Sequence, residues 1–239
     1  MKYLYYLLFS TLLLVSCSGS FQKIKGNGNL IQQNRTVTAF SELSAEGSID
    51  ILLEQGDSYK VTVEAEENLQ EYIEVIASGN KLIVRNKGFV NLKPTKKMQV
   101  HVVTPSLQIL KLSGATDVKG KYKFLNNGPL RVGVSGAANL NFIVDAPAVT
   151  LDISGSGDVQ LEGDTRDFDL DISGAGDAKC FNLRAENTTV NMSGAGHAEV
   201  FASKNVDANL SGAASLKYKG HPASSQIKKT GAADIQSVE

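Results

Sequence analysis

One short stretch recurs through this chain: Ser113-Gly114-Ala115, Ser135-Gly136-Ala137, Ser154-Gly155-Ser156, Ser173-Gly174-Ala175, Ser193-Gly194-Ala195, Ser211-Gly212-Ala213 and Thr230-Gly231-Ala232, at intervals of 22, 19, 19, 20, 18 and 19 residues. A period near 19 with glycine fixed at the second place restricts the chain to a stack of like units, each burying its apolar face against its neighbours. The flanking residues identify the units as β-coils. Three and one residues before the corner stand Leu110/Leu112, Val132/Val134, Leu151/Ile153, Leu170/Ile172, Val190/Met192 and Ala208/Leu210. Five and seven residues after its start stand Leu140/Phe142, Val159/Leu161, Ala178/Cys180, Ala198/Val200 and Leu216/Tyr218. Alternation of period two marks strands with one buried face. The expected fold is all-β: a parallel β-helix, or solenoid, of about 19-residue coils over residues 106–239, preceded by further β structure.

Only Gly, Ala or Thr stands at the fourth place of each corner. The turn therefore requires either positive φ or close approach of the coils above and below. A phosphate cradle is excluded, because it needs a helix amino terminus and here strand alternation resumes at once. Calcium-binding glycine-aspartate turns recur about every nine residues, half the period seen here. The acidic place within the corner also does not persist, reading Asp117, Asn139, Asp158, Asp177, His197, Ser215 and Asp234 along the stack. Coils about 4.8 Å apart would set like charges there repelling by about 0.9 kcal/mol in water. Interposed neutral groups relieve most of that. Asp158 and Asp177 are left as the only candidate metal ligands, so neither a metal nor a cofactor is expected. A second polar column, Asp152, Asp171, Asn191 and Asn209, precedes the corner and forms a candidate surface ligand stripe, or else a solvated ladder of stacked amides. Cys180 falls on a core rung and reads as a small buried hydrophobe.

Residues 26–105 lack the corner repeat yet are β in character. "SIDILLEQGDSYKVTVEAE" reads as two strands around Gln55-Gly56-Asp57, and "IEVIASGNKLIVRN" as two more around Ser78-Gly79-Asn80. Only "EENLQEY" invites a short helix. This region is either a small β domain of its own, joined through Pro94–Pro105, or the opening coils of the same solenoid. At the other end Lys229 takes an inward place with Lys228 beside it, as a cap that discourages edge-to-edge growth or as a basic docking patch.

Residues 1–16 combine Lys2 with an apolar run too short to span a bilayer, an export signal removed from the mature chain. Leu14-Val15-Ser16-Cys17 resembles a bacterial lipobox, in which Cys17 becomes a lipidated amino terminus; the alternative is an ordinary secretory signal whose cysteine is incidental. With lipidation, residues 17–25 form a tether and the protein is anchored to a membrane of the bacterial cell envelope. The outer membrane is the expected one. Its periplasmic side is favoured, because "SGSFQKIKGNG" lacks the acidic run that resembles a surface-export tag. Cys180 then has no disulfide partner. A net charge of −1 with mixed signs argues against a nucleic-acid partner.

The stretch Phe40–Gly56 ("F-x-x-L-x-x-x-G-x-I-D-I-L-L-E-Q-G"), Glu67-Asn68-Leu69, Gly79-Asn80-Lys81-Leu82-Ile83-Val84 and the string of corners together resemble the autotransporter-adhesin head, GIN-domain family, common as lipoproteins in Bacteroidota. The resemblance covers residues 26–237. It implies a right-handed parallel β-helix and an adhesin-like role, and it carries over no catalytic residue. The expected function is a non-catalytic, membrane-anchored module that presents an extended surface to a glycan or protein ligand. Two alternatives stand beside it. One is a polysaccharide lyase or hydrolase using Asp152, Asp171, Asp158 and Asp177, against which the chain has no tryptophan for sugar stacking. The other is an envelope scaffold that associates laterally into homo-oligomers.

Overall fold

The computed structural model describes residues 22–88 and 90–239; the export signal and Cys17 lie outside the described residues. Stacked parallel coils about 20 residues apart form a β-solenoid of about six turns, and strands account for 68% of residues. The apolar places line up as their spacing requires. Leu82, Leu43, Leu110, Val132, Leu151, Leu170, Val190 and Ala208 are paired rung upon rung in parallel register. All eight are fully buried. Each leucine or valine withdrawn from water in this way contributes about 1.5–3 kcal/mol, so the column is the main source of cohesion between coils.

At the corner both alternatives hold together. The seven repeat glycines from Gly114 to Gly231 have φ between +77° and +125°. A methyl group on Gly155 would also lie 2.5 Å from the carbonyl oxygen of Gly136, and one on Gly174 2.6 Å from that of Gly155. The same carbonyls accept hydrogen bonds from the coil above: Ser156 N–H donates to Gly136 O at 2.8 Å and Ala175 N–H to Gly155 O at 2.9 Å. The column also extends one coil earlier than the repeat shows. Gly47, at φ +95°, is in register with Gly114. Leu43/Ala45 and Ile51/Leu53 flank it at the usual spacing, with Glu46 replacing the serine.

The coil Glu42–Gly47/Asp50–Gln55 lies between two others that are not its neighbours in sequence. On one side it pairs in parallel with Lys81–Asn86 and Gln99–Thr104, on the other with Ile109–Gly114 and Asp117–Gly120. Residues 42–55 thus belong to the same ladder as the glycine-cornered coils. The strands Asp50–Gln55 and Lys60–Glu66 do flank a turn at Gly56, but they do not pair with each other, because Gln99–Thr104 lies between them. Ile73–Ser78 and Lys81–Asn86 form the hairpin expected around Gly79. The anticipated helical turn is a 3₁₀ helix, Glu67–Tyr72.

The first end of the stack is closed by antiparallel strands. Lys60–Glu66 covers the Gln99–Thr104 edge, Leu30–Arg35 covers Lys60–Glu66, and Ile73–Ser78 covers Lys81–Asn86. Gln22–Lys25, within the segment expected as tether, pairs in parallel with Val90–Lys93. The buried carboxylate of Glu66 fastens these pieces. It accepts from Gly28 N–H at 2.6 Å, Thr95 N–H at 2.8 Å and the Thr95 hydroxyl at 2.7 Å. At the opposite end Ser224–Lys229 and Asp234–Ser237 form the last coil, with Ile227 41% exposed and Lys229 in register with Leu210.

Two outcomes follow. Gly174→Ala destabilises the chain by about 2–4 kcal/mol, since it combines left-handed strain with a backbone clash, while Ser173→Ala changes stability by less than about 0.5 kcal/mol; urea denaturation of both variants checks this. The hydrogen bond from the Thr95 hydroxyl, followed by those from backbone amides, holds the Glu66 carboxyl below the usual carboxylate range against the opposing effect of burial. A depressed folded-state value means that this contribution is present above the unfolded-state value of about 4.3 and lost as pH falls below it. Urea midpoints of the wild type and Glu66→Gln should therefore differ at pH 7 and converge toward pH 3.

Candidate functional site

The polar column before the corner stacks in register, Asp152 beside Asp171, then Asn191 and Asn209. The amides bond along it: Asn191 Nδ2 donates to Asp171 Oδ1 at 3.0 Å and Asn209 Nδ2 to Asn191 Oδ1 at 3.3 Å. Arg131 Nε lies 3.7 Å from Asp152 Oδ2. A shallow hollow of about 330 Å³ runs beside these residues. Asp171, Asn191 and Asn209 are thus linked by hydrogen bonds within the stripe, and among the described residues Asp152 is held by Arg131 alone.

Asp158 and Asp177 are adjacent on the strand beyond the corner, with His197 next in register. The His197 ring does not counter them by a direct contact: its Nε2 lies 3.6 Å from Glu199 Oε1 on its own strand. The same column holds a second adjacent acid pair, because the coil at Gly47 places Asp50 beside Asp117. Burial, then the neighbouring Asp117 charge, raises the Asp50 pKa. Asn139 separates the two pairs, donating to Asp117 Oδ1 at 2.8 Å and accepting from Asp158 N–H at 3.4 Å. Among the described residues no group of three or more His, Cys, Asp or Glu side chains is placed to hold a metal ion.

Larger depressions lie at the other bend of the coils, where the repeat is irregular. The interval of 22 residues between Ser113 and Ser135 accommodates an outward loop that carries Tyr122, 65% exposed, and Leu125, 57% exposed. Hydrogen bonds hold this loop in place. Gln55 accepts from Leu125 N–H at 2.9 Å and donates to Leu125 O at 2.8 Å. Buried Asn126 donates to Leu107 O at 2.7 Å and Gly128 O at 3.1 Å. A groove of about 820 Å³ extends from the loop along the stack, and one of about 770 Å³ lies on its other flank, toward Gly56 and Ser106.

The first groove exists because Ala146, Thr165 and Ala185, stacked at the bend, are small. Charged side chains around it are mostly paired. Lys123 Nζ reaches Asp145 at 2.9 Å and Asp164 at 3.5 Å, Arg166 meets Asp167 at 2.8 Å, and Lys204 meets Glu186 at 2.7 Å. Hydrogen bonding to Asp145 raises the Lys123 pKa, and hydrogen bonds from Asn187 and Arg166 lower that of Asp167. The sequence reading singled out none of these residues. The one excess in an otherwise even repeat was the signal that marked the place.

The family model described as "Putative auto-transporter adhesin, head GIN domain" matches residues 39–222. Among solved structures, a "putative adhesin" from Bacteroides fragilis is 24% identical with a TM-score of 0.85, covering 90% of this chain and 100% of that one. A "putative adhesin" from Parabacteroides distasonis is 27% identical with a TM-score of 0.69 over 90% of this chain and 100% of its own. One from Parabacteroides merdae is 25% identical with a TM-score of 0.71, covering 91% and 100% respectively. A search of curated proteins found no match.

Cys180 sits on the inner rung expected for it, fully buried, and burial pushes its thiol up to about 12. A thiol so placed is almost wholly protonated near neutral pH. Ellman's reagent should therefore leave it unmodified in the native protein at pH 8 and titrate it fully in 6 M guanidinium; rapid native labelling would contradict its placement.

Proposed function

Because the chain belongs to the auto-transporter adhesin head GIN-domain family, we propose that it is a non-catalytic binding module of the bacterial cell envelope, held to a membrane through lipid on Cys17. The observation that carries this reading is the form of the polar surface. Its hollows are open, run along the flanks of the stack and are lined by side chains from successive coils. A solenoid supplies long ladders of side chains with fixed spacing, which suits recognition of an extended partner.

The anchor gives this surface an orientation. Gln22, five residues beyond Cys17, begins the strand attached to the closed end of the stack. The closed end then faces the membrane and the last coil points away. Both grooves beside Tyr122 and Leu125 open on the flank of the stack.

In cells fed a radiolabelled fatty acid, Cys17→Ser should abolish label incorporation and move the protein from the membrane to the soluble fraction. Equal labelling of the variant would overturn the anchor. The same soluble variant, immobilised, should retain material from envelope extracts and release no unsaturated or reducing sugars from polygalacturonate with or without calcium; sugar release would favour an enzyme instead.

A further inference from the structure

We infer that the groove beyond the Tyr122–Leu125 loop is a binding site for neutral oligosaccharides, an assignment that rests on the binding-module reading and names its ligand class. Leu125, Asp145, Asp164 and Arg184 occupy consecutive coils in register, forming one wall. Their span of three coil spacings is about 14 Å. Phe201, partly exposed, lines the same groove farther along the stack.

Three features select the ligand. The first is charge. Asp145 and Asp164 share Lys123, Glu186 holds Lys204 and Arg166 holds Asp167, and Arg184 on the same wall offsets the remaining carboxylate, so the groove offers no net surplus of either sign to a polyanion or a polycation. The second is backbone. Main-chain groups along the wall are engaged on both sides at Asp145 and Asp164 by the parallel ladder, and beside Arg184 the Ser203 and Lys204 N–H groups donate to the carbonyls of Ala185 and Glu186, which leaves little edge for an extended peptide to join by strand addition. The third is the chemistry that remains. Among the described residues Arg184 has no ion-pair partner, and its planar guanidinium offers five donors. Asp164 is 60% exposed at its side chain and keeps acceptor sites beyond its contact with Lys123. Donors and acceptors set at coil spacing, with Leu125 and Phe201 to pack against C–H faces, match a chain of hydroxyl-rich rings without net charge.

The test uses the full chain carrying Cys17→Ser and titrates it by calorimetry with hexasaccharides of glucose, mannose and N-acetylglucosamine, with polygalacturonate as the anionic comparison. At least one neutral hexasaccharide should bind saturably and polygalacturonate should not. Asp164→Ala and Arg184→Ala, both at solvent-facing positions, should each weaken that binding by about tenfold, the effect of losing one charge-assisted hydrogen bond. Asp171→Asn, on the amide stripe, should leave it unchanged. Sugar binding that both groove variants preserve overturns the site, and binding of polygalacturonate that they abolish overturns the ligand class. If no hexasaccharide binds while envelope material is still retained, the inference falls and the binding-module reading stands; if nothing is retained at all, both fall.

Discussion

The structure depends on a hydrogen bond that only glycine permits. At each corner the glycine carbonyl points along the stack and accepts the N–H of the residue that follows the glycine in the next coil. That geometry brings the backbones so close that no β-carbon fits, and it needs a φ that other residues rarely adopt. Once the corners are fixed in register, the rest follows from the two-residue period of the strands. Leucine lands on leucine inside, and aspartate lands on aspartate or asparagine outside. The corner sets register for the whole coil, because a slip of one residue would turn every apolar side chain outward.

The fold was readable because a ladder in register repeats its constraints at a fixed interval, and the interval survives even where the side chains change. It failed to reveal the first corner only because Glu46 stands where serine was expected and Ile49 where a small residue was expected. Glu46 faces outward and is tolerated. Ile49 is buried on the cap side of the stack, where the next coil supplies no matching corner glycine. The intercalation of Gln99–Thr104 beside Asp50–Gln55 was not legible. Strand pairing across about fifty residues leaves no periodic trace, and a turn between two strands looks the same whether they pair or are held apart.

The polar surface was legible in part. The columns of aspartate and asparagine could be listed from the repeat, and they stand where the repeat puts them. Their hydrogen bonds to one another could not be listed, and those bonds tie Asp171, Asn191 and Asn209 into a ladder. The grooves came from the opposite bend, where small residues stack at Ala146, Thr165 and Ala185 and one coil is longer than the rest. Regular coils give a smooth flank. Three extra residues after Ser113 give relief, and Gln55 and Asn126 make that relief rigid.

One end of the stack is closed by antiparallel strands and the other finishes on the coil Ser224–Lys229/Asp234–Ser237, and this difference gives assembly a direction. Residues 42–55 find no partners until the chain has returned with 81–104 and then gone on to 109–120, so the first layers require closure of long loops before any contact rewards them. Every later coil docks on the one just completed, about twenty residues earlier. Nucleation is therefore slow and confined to the closed end, growth is local and quick, and the outermost coil is the first to fray and the last to form.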